Sequence, residues 1–342
     1  MNLSYDEIIS AISGAVRTEI TEKGIELYRF TESQERFFKG FPDDLKYKIS
    51  RDTAGMVIRF KTDSESLNIK LFVHEKLIRT YFVCDVVCNG EPLEAITNSK
   101  QKLAPGEEPK PTIEYGELSK KYVLPKGEKV IEIHFPYYRQ LSILEVSLTN
   151  GASFEPVKRE KLMLTYGDSI THGSEAAHPR DRYASRMCEY LGADEVCKAI
   201  GGDLFRPEEA AFKDDLTPDY ISVAYGTNDW SANFRTLDDI ASNCRQFCEN
   251  LRHNYPYAPI FLITPIWRKD LNAEKLAGDF NALYDALKNA VAGIENVWVI
   301  CGRYLVPEDE ECFADRNLHP NSKGFKHYSE NLINELKILH FK

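Results

Sequence analysis

The sequence predicts a chain of two domains, an all-β sandwich or jelly roll over residues 1–152 followed by an α/β domain over residues 153–342. The first half contains short β-rich runs separated by turns, which is typical of a sandwich. The second half alternates apolar runs with helical segments, which is typical of a mostly parallel sheet covered on both faces. The composition changes over residues 149–160, TNGASFEPVKRE, and this stretch is the candidate boundary.

Composition excludes several classes of function for a chain of 342 residues. A net charge of −10 argues against a nucleic-acid binder and disfavours an anionic membrane surface as a partner. No apolar run approaches the ~20 residues that a membrane span needs. The N-terminal stretch has early acidic residues and no long apolar core, so we expect no secretory signal, a cytoplasmic protein and eight reduced cysteines. No CxxC pair occurs, and the sequence therefore predicts no zinc site.

The N-terminal domain is predicted to begin with a helix over residues 4–17, capped by Ser4, and to continue in short strands. In the run KVIEIHF the apolar residues alternate with Glu132 and His134, which indicates a half-solvated antiparallel sheet. The Lys- and Pro-rich segment 99–112 is interpreted as an exposed hairpin loop. The β-rich runs are GIELYRF, LKYKIS, GMVIRFKT, LNIKLFV, TYFVCDVVCNG, EYGELS, KKYVLP, KVIEIHF and LSILEVSL.

The C-terminal domain is predicted to alternate strands with helices. The predicted strands are residues 162–166, 195–200, 220–225, 260–265 and 296–301. The predicted helices lie near residues 180–191, 236–254, 273–291 and 322–338. The helix at 236–254 carries its apolar residues on one stripe, as expected for a helix that packs on a sheet.

The ends of these strands carry the candidate chemistry, because ligands of open α/β sheets bind outside the carboxyl ends of the strands. The first strand ends in Gly167-Asp168-Ser169, and this serine is a candidate nucleophile. Gly-Asp-Ser by itself is also an ordinary turn sequence. The other strand ends are Gly201-Gly202-Asp203, Gly226-Thr227-Asn228-Asp229 and the C-terminal run Ala314 to Asn321.

A serine that cleaves esters needs a base and donors aimed at the developing oxyanion, often with a third group that holds the base. His319 can be the base. The backbone N–H groups of Ser169 and Gly202 and the side-chain amide of Asn228 can form the oxyanion hole. Asp168 and Asp229 are interpreted as turn residues that accept backbone N–H groups.

Four short blocks of this sequence resemble those of the SGNH (GDSL-type) hydrolase superfamily over roughly residues 160–340. They are GDSIT, a glycine after the second strand, GTND and a C-terminal HPN. The resemblance implies a flavodoxin-like three-layer α/β/α domain, with Ser169 as nucleophile, His319 as base and the same three oxyanion donors. No GxSxG elbow occurs, which disfavours an α/β-hydrolase. IRFKTDS (58–64) and residues 126–148 resemble the β-sandwich that precedes the catalytic domain in carbohydrate esterases of the acetyl-xylan type.

The last block departs from the pattern of this superfamily, Asp-x-x-His. The residue three positions before His319 is Arg316, and the nearest aspartate, Asp315, is four positions before it. Either a one-residue bulge lets Asp315 orient the imidazole, or the enzyme works as a Ser-His dyad with a backbone carbonyl holding the ring.

The expected function is a serine esterase that removes small acyl groups, acetyl foremost, from O-acylated carbohydrates without a metal or cofactor. Its substrate is a small-molecule or oligosaccharide ester, and nucleic acid and membrane are not expected partners. A homo-oligomer is compatible with the sequence. Trp230, Ile266 and Trp267 are candidate substrate-binding residues, with core packing as the alternative. The competing functions are a lysophospholipase or thioesterase and a catalytically inactive carbohydrate-binding protein.

Overall fold

A computed structural model describes residues 1–99 and 111–342 of the chain. The chain divides into two compact units. The first comprises Met1–Lys158 and His178–Arg180, and the second comprises Arg159–Ala177 and Asp181–Lys342.

The first unit extends beyond the predicted boundary between residues 152 and 153. It does so because Glu155–Pro156 pairs antiparallel with a strand of the first unit, Val57–Thr62. The backbone N–H of Arg159 then bonds the carboxylate of Asp194 in the second unit's own fold. Most of the predicted hairpin loop 99–112 lies outside the described residues.

The first unit contains two antiparallel sheets in its described part. One has the strand order β1-β4-β10-β6-β7, with β12 on β4 and β8 on β6, and the other has the order β2-β3-β11-β5-β9. The strands are β1 (Ile12–Ser13), β2 (Arg17–Thr21), β3 (Gly24–Tyr28), β4 (Val57–Thr62), β5 (Ser66–Val73), β6 (Val83–Cys88), β7 (Glu91–Pro92), β8 (Ile96–Thr97), β9 (Gly116–Val123), β10 (Lys129–His134), β11 (Leu141–Leu148) and β12 (Glu155–Pro156).

The core of this unit is built from the inner faces of both sheets, as expected for a β-sandwich. The alternation predicted for KVIEIHF is confirmed, because Ile131, Ile133 and Phe135 are buried while Glu132 and His134 are half-buried. Each fully buried aliphatic or aromatic side chain of this kind contributes about 1.5–3 kcal/mol to folding.

Three helices of the first unit differ from the sequence prediction: α1 (Tyr5–Ser10), α2 (Glu32–Lys39) and α3 (Leu45–Ser50). Ser4 caps α1 as predicted, in a capping box with Glu7. The helix predicted over residues 4–17 is nevertheless too long, because Ile12–Ser13 pairs with β4 instead. LKYKIS, predicted as a strand, forms α3, and the buried guanidinium of Arg29 donates to its Ile49 carbonyl at 2.9 Å. A six-residue pattern cannot separate the two states without such tertiary contacts.

The second unit is built on five parallel strands, all of them predicted. They are β13 (Lys161–Gly167), β14 (Ala193–Cys197), β15 (Tyr220–Ala224), β16 (Ile260–Ile263) and β17 (Val297–Ile300). Their order is β14-β13-β15-β16-β17, the doubly wound order of flavodoxin-like sheets. The chain leaves β13 first towards β14 and later towards β15, so the topological switch point lies at the carboxyl end of β13.

Helices cover both faces of this sheet. They are α4 (Ser169–His172), α5 (Tyr183–Leu191), α6 (Pro207–Ala211), α7 (Thr227–Ser231), α8 (Leu237–Asn254), α9 (Ala282–Ala290) and α10 (Ser322–Ile338). The crossovers through α5 and through α8 run in opposite directions across the sheet, so right-handed connections place these helices on opposite faces. The resulting α/β/α architecture confirms the predicted fold class.

The helix predicted at 273–291 begins only at Ala282. Gly278, within the predicted span, has φ +77, and its carbonyl accepts a 2.8 Å hydrogen bond from Trp230 Nε1. A residue in the left-handed region breaks the helical hydrogen-bond ladder.

Within residues 1–99 and 111–342, every helix is too short or too polar to cross a bilayer. All eight cysteines are free thiols.

Candidate active site

Ser169 stands at the carboxyl end of β13, on a tight turn that we call the serine turn (residues 167–173). Gly167 ends the strand, Asp168 caps α4 by accepting the Ile170 N–H at 2.9 Å, and Ser169 is the first residue of α4. A Cβ on Gly167 would lie 2.0 Å from Thr171 Oγ1, so only glycine fits there. Ser169 itself is 7% exposed. The local sequence thus fixes the serine at the switch point of the sheet.

His319 reaches Ser169 across 150 residues of sequence. Its Nε2 lies 2.9 Å from Ser169 Oγ, and its Nδ1 lies 2.8 Å from Asp315 Oδ2. An ionised carboxylate can only accept hydrogen bonds, so in a neutral imidazole Nδ1 carries the proton and Nε2 offers its lone pair. The Ser169 hydroxyl therefore donates to Nε2, which is the arrangement that a general base requires.

Asp315 lies in an exposed turn that we call the histidine loop (residues 313–321), closed by the Ala314 N–H on the His319 carbonyl at 2.8 Å. Its Oδ1 accepts the backbone N–H groups of Asn317, Leu318 and His319 at 2.9, 2.7 and 3.1 Å. Partial burial opposes ionisation of this carboxyl. The hydrogen bonds from the His319 ring and the three amides outweigh that cost and hold the pKa of Asp315 well below its usual range.

Arg316 is the extra residue of the departing Asp-x-x-x-His spacing, and it adopts φ +57. This left-handed residue turns the chain within the one additional position, so that the carboxylate still meets Nδ1. Of the two arrangements that the sequence left open, the described geometry has the one-residue bulge.

The three predicted oxyanion donors lie at the ends of β13, β14 and β15. The Ser169 N–H is the first of α4 and has no acceptor within that helix. Gly202 has φ +75, a conformation that favours glycine, and a Cβ there would meet no described atom within 4 Å. Asn228 is the second residue of α7, and its Nδ2 donates to the Asp203 carbonyl at 3.0 Å. That bond orients the amide and leaves its second N–H able to donate.

Two buried carboxylates flank these donors. Asp229 accepts the backbone N–H groups of Gly226 and Phe205 and pairs with Arg235, and burial raises its pKa to about 6. Burial likewise raises the pKa of Asp168 to about 7, opposed by its bond from Ile170 and by nearby His319. Both side chains bond backbone amides at turns, as predicted.

The predicted substrate-binding side chains are all buried. Trp230 has no exposed surface and packs against Phe280, with ring centroids 5.0 Å apart. Because Trp230 has no exposed surface, it cannot touch a substrate in this conformation. Of the two predicted alternatives, the structure has Trp230 packed in the core. Ile266 is 3% and Trp267 8% exposed, and their contact with substrate stays a prediction.

Sequence reasoning missed the segment that follows β16. Arg268 is 5% exposed and bonds residues of α7, while Lys269 and Asp270 bond Asn317 of the histidine loop. The available signal was an arginine five residues after the end of a buried apolar strand and next to a buried apolar pair, where a charged side chain needs a partner.

Comparisons with known proteins match two parts of the chain to known families. The model of the GDSL-like lipase/acylhydrolase family matches residues 165–327. A second model, described as the N-terminus of SGNH-hydrolase-type esterases, matches residues 39–154. No protein with a curated description matches the sequence significantly.

Several solved structures share the fold at low sequence identity. The salicylyl-acyltransferase SsfX3 from a tetracycline biosynthetic pathway has a TM-score of 0.77 at 21% identity, covering 96% of this chain and 94% of that one. A family two carbohydrate esterase from Cellvibrio japonicus has a TM-score of 0.67 at 17% identity, covering 96% and 95%. A family two carbohydrate esterase from Clostridium thermocellum, in complex with cellohexaose, has a TM-score of 0.65 at 15% identity, covering 85% and 94%.

The first family match spans Ser169, Asn228 and His319, the residues that the fold brings to the carboxyl edge of the parallel sheet. Residues 165–327 therefore form a domain of the GDSL-like lipase/acylhydrolase family, and the chain is a carboxylic ester hydrolase of the SGNH type.

Proposed function

We propose that this hydrolase removes small acyl groups, acetyl foremost, from O-acylated carbohydrates through an acyl-enzyme on Ser169. The observation that carries the mechanism is the pair of contacts at His319, 2.9 Å from Nε2 to Ser169 Oγ and 2.8 Å from Nδ1 to Asp315 Oδ2. Together they give a nucleophile, a base in the required tautomer and a group that holds the base.

The first half of the reaction transfers the acyl group to the enzyme. Ser169 Oγ attacks the ester carbonyl carbon while His319 Nε2 takes the hydroxyl proton. The Ser169 and Gly202 N–H groups and Asn228 Nδ2 donate to the oxyanion of the tetrahedral intermediate. The C–O bond to the sugar then breaks, and His319 returns the proton to the departing sugar hydroxyl.

The second half releases the acid. Water attacks the acyl-enzyme carbonyl and gives its proton to His319 Nε2. The second tetrahedral intermediate collapses, Ser169 regains the proton and the carboxylic acid leaves. Asp315 keeps Nδ1 protonated throughout and stabilises the imidazolium of each half-reaction.

One comparison supports a carbohydrate ester as the substrate. Among the solved structures of the same fold are carbohydrate esterases, one of them holding cellohexaose.

The test is a comparison of p-nitrophenyl acetate, butyrate and laurate, followed by acetate release from a panel of acetylated sugars. We expect the acetyl ester to be hydrolysed best, and Ser169→Ala to abolish hydrolysis. Ser33→Ala, at an exposed serine, is the matched control. Faster turnover of laurate would favour a lysophospholipase or thioesterase. Absence of any hydrolysis above the Ser169→Ala background would overturn the esterase and favour a carbohydrate-binding protein.

A further inference from the structure

We propose that Arg268 is a positioning residue that sets the oxyanion donor Asn228 and the histidine loop in one fixed arrangement. The inference rests on the proposed function, in which Asn228 donates to the oxyanion and His319 is the base. Arg268 touches neither of these side chains, so it acts through the backbone and side chains that carry them.

The first set of contacts holds α7, the helix of Asn228. Arg268 Nη1 donates to the Thr227 carbonyl and to Thr227 Oγ1, both at 3.1 Å, and to Ser231 Oγ at 2.7 Å. Thr227 directly precedes Asn228, and the Ser231 hydroxyl in turn donates to the Thr227 carbonyl at 3.0 Å. One guanidinium nitrogen thus fixes both ends of the five-residue helix.

The second set of contacts leads to the histidine loop. Arg268 Nε and Nη2 donate to the two oxygens of Asp270 at 2.6 and 2.9 Å, a bidentate pair. The Asp270 N–H donates to Asn317 Oδ1 at 3.2 Å, and the Lys269 N–H donates to the Asn317 carbonyl at 3.0 Å. The Asn317 N–H in turn donates to Asp315 Oδ1 at 2.9 Å.

The Arg268 guanidinium is buried and is therefore not an ordinary surface charge that only keeps the protein soluble. Its side chain is 5% exposed, and its central carbon lies 4.9 Å from the centroid of the Trp230 ring. The bonds from Arg268 lower the pKa of Asp270, so the pair is ionised and the buried positive charge is compensated. A lysine could supply the charge but not a planar fork that serves Asp270 on one edge and α7 on the other.

Three effects of removing Arg268 follow from these two sets of contacts. Loss of Arg268 releases α7 and the Asn317 backbone together, so the donor and the base drift from the geometry of the transition state. Loss of an interaction that is made mainly in the transition state lowers kcat and leaves KM nearly unchanged. The effect must shrink once Asn228 is removed, because part of it passes through that side chain.

The experiment is a double-mutant cycle on p-nitrophenyl acetate hydrolysis with Arg268→Ala, Asn228→Ala and the double variant. We expect Arg268→Ala to lower kcat about 10- to 100-fold with KM changed less than about 3-fold, somewhat below the loss from removing an oxyanion donor outright. In the Asn228→Ala background the same change should cost less than about 5-fold. Arg268→Lys should be nearly as impaired as Arg268→Ala, whereas added guanidinium ion should partly restore Arg268→Ala. Arg245→Ala, which removes an exposed i,i+4 ion pair with Glu249, is the matched control and should be unchanged.

The results distinguish a positioning role of Arg268 from a purely structural one. Equal losses from Arg268→Ala with and without Asn228, with no response to guanidinium, would show a purely structural arginine and overturn this inference while leaving the esterase intact. Full activity of Asn228→Ala would overturn the donor assignment and this inference with it. If Arg268→Ala fails to fold, Arg268→Lys in the same cycle gives the answer. Wild-type protein without esterase activity would overturn the proposed function itself.

Discussion

Two carboxylates lie close to the candidate catalytic pair, one in the serine turn and one in the histidine loop. Their surroundings shift their pKa values in opposite directions. Asp168, beside Ser169 in sequence, is fully buried and accepts one amide N–H, and its pKa is raised to about 7. Asp315 is partly exposed and accepts three amide N–H groups and an imidazole N–H, and its pKa is held well below the usual range. Solvation and the number of donors, not nearness to the serine in sequence, decide which carboxylate is ionised.

The difference assigns separate tasks to the two regions. An imidazolium is stabilised by a carboxylate that stays charged, and Asp315 meets that requirement. Asp168 fits the task of capping α4, which a neutral side chain performs as well. The serine turn is buried, whereas the histidine loop lies at the surface and is held by hydrogen bonds within the loop and from Lys269 and Asp270.

The strongest test of the comparison removes the base that the histidine loop carries. His319→Ala leaves the Ser169 hydroxyl without a proton acceptor, so we expect kcat for p-nitrophenyl acetate to fall by about five to six orders of magnitude. His327→Ala, on α10, is the control and should retain activity. A loss below about a hundredfold would show that another group accepts the proton.

The next test exchanges each carboxyl for its amide. Asp315→Asn presents an N–H to Nδ1 and stabilises the wrong tautomer, so we expect kcat to fall about 10³- to 10⁴-fold. Asp168→Asn keeps an oxygen for the Ile170 N–H, and its loss should stay within about tenfold. Steady-state kinetics of both variants measures the contrast. Unchanged turnover of Asp315→Asn would point to a Ser-His dyad.

A third test follows the stability of the serine turn with pH. Because the folded pKa of Asp168 is about 7 and its ordinary value is 3.8, the native state holds this proton more tightly than the unfolded state does. Wild-type stability is therefore lost as pH rises from about 4 to 7, by up to about 4 kcal/mol.

Asp168→Asn removes this titration. We expect the free energy of unfolding of Asp168→Asn, measured in urea, to increase relative to that of the wild type as pH rises. This difference should reach a plateau above about pH 7. Asp6→Asn, at an exposed aspartate, is the control for the loss of one negative charge. A wild-type-to-variant difference that is the same at both ends of this pH range would contradict the buried-carboxyl assignment.

The smallest effect is expected at Arg316, the extra residue of the histidine loop. Its φ of +57 suits glycine, so Arg316→Gly should keep the bulge and change kcat by less than about 3-fold. Arg316→Val should disfavour the left-handed conformation and lower kcat more, because it disturbs the Asp315–His319 contact. Its ion pairs with Glu310 and Glu311 are exposed and contribute little. Equal activity of the two variants would show that the bulge does not depend on this backbone conformation.

Much of the fold was predictable because its signals are local. Five apolar runs predicted the parallel strands, and the turn chemistry at their ends predicted where polar groups gather. LKYKIS and the residues after Ser10 were misassigned, because contacts with Arg29 and pairing with β4 override weak local preferences. The sequence left the place of Trp230 open for a similar reason, since a strand-end tryptophan looks the same in sequence whether it lines a pocket or fills a core.

By itself the sequence determined which functional groups meet at the carboxyl edge of the sheet. Parallel strands end at one edge, and the groups concerned come after such strands in the chain. They belong to Ser169, Gly202, Asn228 and His319. Only the tertiary structure decided whether Asp315 reaches the imidazole across the extra residue, because that depends on the backbone dihedral at Arg316, which residue type and spacing do not set. The bridge through Arg268 was likewise invisible, because it joins three segments that are distant in sequence through side chains that only packing brings within reach.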